Sequence, residues 1–263
     1  MECTIHWMPA TGMGFAAETG SGHLINMDGA PEGGGRNLAP RPMETLLAGA
    51  GGYNTAEVIH AIDAYAKLGV DGILSVTPYY NRPTQEGLFQ HYKAIAEGTS
   101  LPIILYSVPG RTGCNIEAAT VVRLSAIPNI VGVKEASGNI TQMAEICRNV
   151  PVLSGDDAIT LPLMALGGKG IISVASNEVP AEMVQMVEAV ERGDWTGARA
   201  MHNRLLPLMQ VNFCESSPGP VKFAMAEMGL LDAHYRLPMV PVSDASKAKV
   251  RAVLSALGPV GAK

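Results

Sequence analysis

The chain has 263 residues, of which 47% are apolar and 16% charged, which gives enough core for one large domain or two small ones and excludes global disorder. A net charge of -5 excludes a basic nucleic-acid footprint. The four cysteines (Cys3, Cys114, Cys147, Cys214) form no CxxC pair and the histidines no HxH or HExxH motif, so neither a disulfide frame nor a metal site is expected.

The opening MECTIHWMPATG lacks a basic n-region followed by an apolar h-region, and no run approaches the ~18 apolar residues of a membrane helix. The expected location is the cytoplasm, with no membrane or nucleic-acid partner. Residues 1–44, ending ETGSGHLINMDGAPEGGGRNLAPRPME, are rich in Gly, Pro, Ser and Asn and show neither strand alternation nor a long helical face.

From residue 45 the pattern changes. Apolar runs at TLLAGAG (45–51), GILSV (72–76), PIILY (102–106), IVGVK (130–134), VLSG (152–155) and GIISVAS (170–176) predict six strands. Between them lie helix-period segments at 55–68, 85–97, 116–124, 140–148 and 161–166, with another at 181–191. Near-continuous apolar runs suit parallel strands buried on both faces. After Asp194 the strands stop, and helices are expected at 195–209, 220–228 and 243–257. The chain thus divides into an aberrant segment 1–44, barrel units over 45–193 and a helical region over 194–263.

An open doubly wound sheet and a closed (β/α)8 TIM barrel both fit such alternation. AGAGGYN (48–54) misses the glycine pattern of a dinucleotide-binding turn, whereas polar residues end several different strands, as at the C-terminal face of a barrel. The α/β barrel is therefore expected, with short or aberrant N-terminal units.

Lys134 ends the run IVGVK. A lysine at the top of a buried strand is costly unless paired or uncharged, and an uncharged amine attacks carbonyls. The plain alternative is a lysine that snorkels or pairs at a strand end. Gly132, on its side of an alternating strand, would leave it room. In PIILYSVPGRTG, Tyr106 ends a strand where its phenol could relay protons, and Arg111 could fork onto a carboxylate. Either could equally be a surface residue. In VTPYYNRPTQEG, Tyr79 and Tyr80 form a hydroxyl relay or an aromatic interface, and Thr84 with Glu86 marks a helix start. SGDD (154–157) has no companion ligand for a metal, and Asp157 reads as a helix cap.

Taken together, TPYYNRPTQEG, YSVPGRTG, GVKEASGN, LSGDD and GGKGIISVASN, in this order, resemble the dihydrodipicolinate synthase (4-hydroxy-tetrahydrodipicolinate synthase) family over residues 47–242. The resemblance implies a pyruvate-dependent lyase of lysine biosynthesis, with a (β/α)8 barrel and a C-terminal helical region. It implies that Lys134 forms a Schiff base with pyruvate, that Tyr106 relays protons during attack on L-aspartate 4-semialdehyde, and that Arg111 holds the semialdehyde carboxylate. It further implies that Ile172 offers a backbone carbonyl, that Gly155 lines the substrate pocket, and that Tyr80 reaches a neighbouring subunit's site. A homo-oligomer, dimer or tetramer, and no metal or organic cofactor follow from it. Another pyruvate aldolase of the same superfamily is the alternative activity.

Three departures stand out. The family's GTTGE turn, which supplies a relay threonine and carboxylate-binding amides, is absent, and AETGSG (17–22) is the nearest string. Ser107 stands where asparagine is usual, and ESSPGPVK (215–222) replaces ENPIPVK. A catalytically impaired homologue is therefore a third reading. The break upstream of LLAGAGG is what a shifted reading frame would leave, and translation of the gene's other frames would then show GTTGE.

Overall fold

The computed structural model describes residues 4–8, 14–18, 24–27 and 47–258. The chain forms two units, one of Thr45–Ile172 and one of Met1–Glu44 with Ser173–Lys263.

In the second of these, β1 (Thr4–Met8), β2 (Gly14–Glu18) and β3 (Leu24–Met27) form an antiparallel sheet in that order, with Thr4 opposite Glu18 and Phe15 opposite Met27. This corrects the expectation that residues 1–44 hold no strands. Runs of four or five residues are too short for alternation to rise above the Gly and Pro around them.

The unit Thr45–Ile172 is a parallel sheet wrapped by helices. Its strands are β4 (Leu47–Ala50), β5 (Gly72–Val76), β6 (Ile103–Ser107), β7 (Ile130–Glu135) and β8 (Val152–Ser154), hydrogen-bonded in chain order. The helices are α1 (Thr55–Ala66), α2 (Gln85–Glu97), the single turn α3 (Pro109–Thr112), α4 (Ala118–Leu124), α5 (Ile140–Cys147) and α6 (Thr160–Ala165). Polar side chains start them. Asn54 Oδ1 accepts from Ala56 N at 3.0 Å, Thr84 Oγ1 from Gly87 N at 3.2 Å and Asn139 Oδ1 from Gln142 N at 3.1 Å.

Burial differs between the two sheet faces. Ile73, Ile103, Leu105 and Val133 are wholly buried among Val58, Ile62, Leu88, Tyr92, Ile95, Leu124 and Ile146 of the helices. The opposite face, with Leu74, Val76, Ile104, Tyr106 and Lys134, is only half-buried. The runs are apolar throughout, but a single face carries the core, which corrects the expectation of two equally buried faces.

The sixth expected strand does not form. Only Ile171 bridges, to Ser154, after which residues 175–177 turn into a 3-10 helix. Ser173 Oγ accepts from Ser176 N at 2.8 Å and Asn177 Nδ2 donates to the Val174 carbonyl at 2.9 Å. Local side-chain bonds of this kind compete with a strand ladder.

The other unit continues with α7 (Pro180–Glu191), α8 (Trp195–Val211), α9 (Gly219–Glu227) and α10 (Asp244–Leu257), close to the predicted helices. Asp194 caps α8, and Ser243 caps α10. Among the described residues, no helix is long and apolar enough to cross a membrane.

Candidate active site

The register of β6 and β7 sets Tyr106 directly beside Lys134. Lys134 Nζ lies 4.2 Å from the centroid of the Tyr106 ring. This register depends on a shift between Ile103 and Ile104, where Ile103 pairs with Ile130 but Ile104 with Gly132. Val131 is thereby skipped and is 44% exposed, so simple alternation along IVGVK fails at that residue. The space at Gly132 is not the lysine's. A Cβ there would meet the Pro151 carbonyl at 3.0 Å. The glycine that makes room for the lysine is Gly155, where a Cβ would come within 3.1 Å of Lys134 Cε and 2.8 Å of Ala136 Cβ. Gly155 N donates to the Glu135 carbonyl at 2.8 Å, which locks that close approach.

Burial pulls the Lys134 ammonium down to a pKa of about 8, and the Asp157 carboxylate opposes part of that fall. Near pH 8 roughly half the amines are then free base, against well under 1% for an ordinary lysine. Burial pushes the Tyr106 phenol up, with the Arg111 cation pulling the other way, so Tyr106 remains a protonated donor beside the amine. The pair can deliver a nucleophile and a proton to one bound carbonyl.

Arg111 sits in α3, one turn after β6. It lines a cavity of about 710 Å³ together with Tyr79, Tyr80, Arg82, Pro109, Gly110, Thr112 and Gly113. Two guanidinium groups on one cavity suit an anion. Tyr80 is 87% exposed, with a left-handed backbone (φ 69°), and its ring centroid lies 6.3 Å from that of Tyr53. Tyr53 also meets Tyr79 edge-on at 6.2 Å.

The dihydrodipicolinate synthetase family model matches residues 44–257. The chain belongs to that family. It is 51% identical over 218 residues to the 4-hydroxy-tetrahydrodipicolinate synthase of Koribacter versatilis, covering 81% of this chain and 73% of that one. The Thermotoga maritima dihydrodipicolinate synthase crystal structure is similar with a TM-score of 0.80 and 41% identity, covering 82% of this chain and 76% of that one. The Acinetobacter baumannii dihydrodipicolinate synthase complexed with pyruvate is similar with a TM-score of 0.79 and 43% identity, with the same coverage. The fold is thus the α/β TIM barrel of the dihydrodipicolinate synthetase family with a C-terminal helical region.

Of the residues singled out in the sequence, the structure brings Lys134, Tyr106 and Gly155 together, with Arg111 close enough for its field to reach the phenol. Ile172 lies on the adjoining segment, its N–H donating to the Ser154 carbonyl at 2.9 Å. Tyr80 shares the cavity with Arg111, and its exposed ring packs with Tyr53 rather than against the lysine. Asp157 is corrected. The cap is Asp156, whose Oδ1 accepts from Ala158 N at 2.9 Å, while Asp157 is 1% exposed and turns its charge on Lys134. An acidic pair after a strand marks the place, but the sequence does not say which acid faces the lysine. The GTTGE position and AETGSG fall largely on residues outside those described. Among the described residues, no cluster of three His, Cys, Asp or Glu could hold a metal ion.

Proposed function

We propose that the chain is a lyase that condenses pyruvate with L-aspartate 4-semialdehyde through a Schiff base on Lys134, giving 4-hydroxy-tetrahydrodipicolinate. The observation that carries this reading is a desolvated amine 4.2 Å from a phenol ring at paired strand ends, in a chain of this family. The Lys134 amine attacks the keto carbon. A C–N bond forms, the keto oxygen leaves as water, and the methyl group loses a proton to give the enamine. The enamine carbon then attacks the aldehyde, whose oxygen becomes the hydroxyl, and the semialdehyde's own amino group adds to the imine carbon and displaces Lys134, which closes the ring and frees the lysine. Tyr106 moves the protons, Arg111 holds the semialdehyde carboxylate, and Gly155 and Ile172 shape the pyruvate end. The Lys134 iminium is itself the electron sink that the condensation needs, so the proposed steps draw on no organic cofactor.

Tyr80 is assigned to the site of a second copy. Three tyrosines exposed by 44% to 87% (Tyr53, Tyr79, Tyr80) support a homo-oligomer, dimer or tetramer, that buries them.

The test is intact mass after incubation with pyruvate and borohydride. A pyruvyl adduct that disappears in Lys134→Ala is expected, and an adduct that persists in Lys134→Ala would sink the assignment. A second reading, a homologue that forms the imine without turning over, is favoured by residues 1–43, which fall outside the family match and hold no GTTGE. Adduct formation without product from the semialdehyde would select it.

A further inference from the structure

Residues 107 and 135 follow Tyr106 and Lys134, pair with each other in the same ladder, and point to the helix-covered face. Both are polar and buried there: Ser107 is 1% exposed and Glu135 0%. Glu135 Oε1 accepts from Gln142 Nε2 of α5 at 3.1 Å, and its Oε2 accepts from Ser137 Oγ at 3.0 Å. Gln142 Oε1 accepts from Asn115 Nδ2 at 2.8 Å. Asn115 Oδ1 accepts from Gln142 Nε2 at 3.2 Å and from Ser107 Oγ at 3.1 Å, and Ser107 Oγ in turn accepts from Ile116 N at 3.2 Å.

The chain of bonds leaves the end of β7, crosses α5 and the loop after α3, and returns to the end of β6. Asn115 stands four residues from Arg111. None of these side chains leaves a buried polar atom unsatisfied. Packing alone would hold two parallel strands together, and a buried carboxylate costs more than an apolar residue of its size. A fully satisfied polar network fixes one arrangement, because any slip strands a buried donor or acceptor.

We infer that Ser107, Asn115, Glu135 and Gln142 are positioning residues, a single hydrogen-bonded brace that sets the Tyr106–Lys134 spacing and anchors the loop carrying Arg111. The inference rests on the Schiff-base reading of Lys134, because it assigns the brace to that pair. The brace touches no substrate. It acts through the strand ends, where a displacement of half an ångström is enough to spoil imine formation.

The experiment is the rate of borohydride-trappable adduct formation at saturating pyruvate, with thermal melting recorded in parallel. Gln142→Glu sets two carboxylates against each other and is expected to slow trapping about tenfold. The swap Glu135→Gln with Gln142→Glu restores a donor–acceptor pair with reversed polarity and is expected to return the rate to within about threefold. A purely structural role would lower the melting temperature of Gln142→Glu but leave the rate of its folded fraction alone. That result, or a double variant no faster than the single one, overturns the brace. If Gln142→Glu does not fold, Ser107→Ala decides: about threefold slower trapping is expected, and an unchanged rate overturns the inference. No adduct on the unaltered chain overturns the reading of Lys134 and the brace with it, whereas an adduct on the unaltered chain with indifferent variants overturns the brace alone.

Discussion

The same two strand ends carry two opposite kinds of chemistry. On one face of β6 and β7, Tyr106 and Lys134 stand side by side. Among the described residues, the amine has a ring beneath it and a carboxylate in its field, but no hydrogen bond or ion pair. On the other face, one residue further along each strand, Ser107 and Glu135 belong to a closed chain of hydrogen bonds. At these strand ends the half-buried face leaves its amine without a hydrogen bond among the described residues, whereas Ser107 and Glu135 on the buried face leave no buried polar atom unsatisfied. A reactive amine has to be desolvated and unpaired to be nucleophilic, which costs stability. The satisfied face supplies the rigidity that keeps such a pair aligned.

The comparison breaks hardest at the phenol. Tyr106→Phe keeps the ring beneath the ammonium and removes only the proton donor. Turnover should fall about a hundredfold or more, with the pyruvate KM changed far less, as read by steady-state kinetics. An unchanged kcat would show that the ring alone matters.

Lys134→Met tests the cost of the unpaired amine. The folded-state pKa, about 8, is lower than the ordinary 10.5, so the unfolded chain holds the proton more tightly. The penalty is therefore complete below about pH 8 and fades as pH rises from 8 towards 10.5. The variant should be more stable than the unaltered chain at pH 7, by about 2 kcal/mol allowing for partial exposure, and the gap should close by pH 10.5 in urea unfolding. A pH-independent gap would point to packing instead of charge.

Gly155→Ala sharpens the same contrast from outside the pair. The added methyl would sit 2.8 Å from Ala136 Cβ and 3.1 Å from Lys134 Cε. The lysine stem can yield, but Ala136 Cβ is fixed to its backbone, so the turn at Gly155 must shift as well and trapping with pyruvate should slow about tenfold. A normal trapping rate would mean that the lysine reaches pyruvate by a different path.

The regular part of the molecule was legible because local signals agreed there. GILSV at 72–76 and the helix at 85–97 match the structure residue for residue, since a continuous apolar run and a Thr84 cap each speak unambiguously. The parallel order of the sheet followed from the alternation of strands and helices. Three things were not legible. The antiparallel strands of residues 4–27 are too short to show a period. The sixth strand was over-read because its serines and asparagine bond locally instead of to the ladder. The brace joins Asn115 to Gln142 across 27 residues, and no pattern within a short window reports such a contact. In the site, the end of the apolar run IVGVK announced the lysine, but which of two aspartates faced it depended on the helical turn after β8.

That aspartate gives the smallest expected effect and the finest test of the reactive face. Asp157 is buried, and its charge raises the pKa that burial lowers. Asp157→Asn keeps the shape and removes the charge, so the Lys134 pKa should fall further below about 8. The acid limb of the trapping-rate profile should then move to lower pH by about one unit or less, since a single charge near a partly solvated amine acts through an effective dielectric well above that of a dry core. More free amine at pH 7 speeds attack, but the protonated iminium loses a stabilising anion, so the rate at pH 7 should change only a few-fold while the profile shifts. A shift to higher pH would mean that Asp157 acts by hydrogen bonding in its own loop and not through its field. Any change of rate would then be traced to the turn that places Gly155.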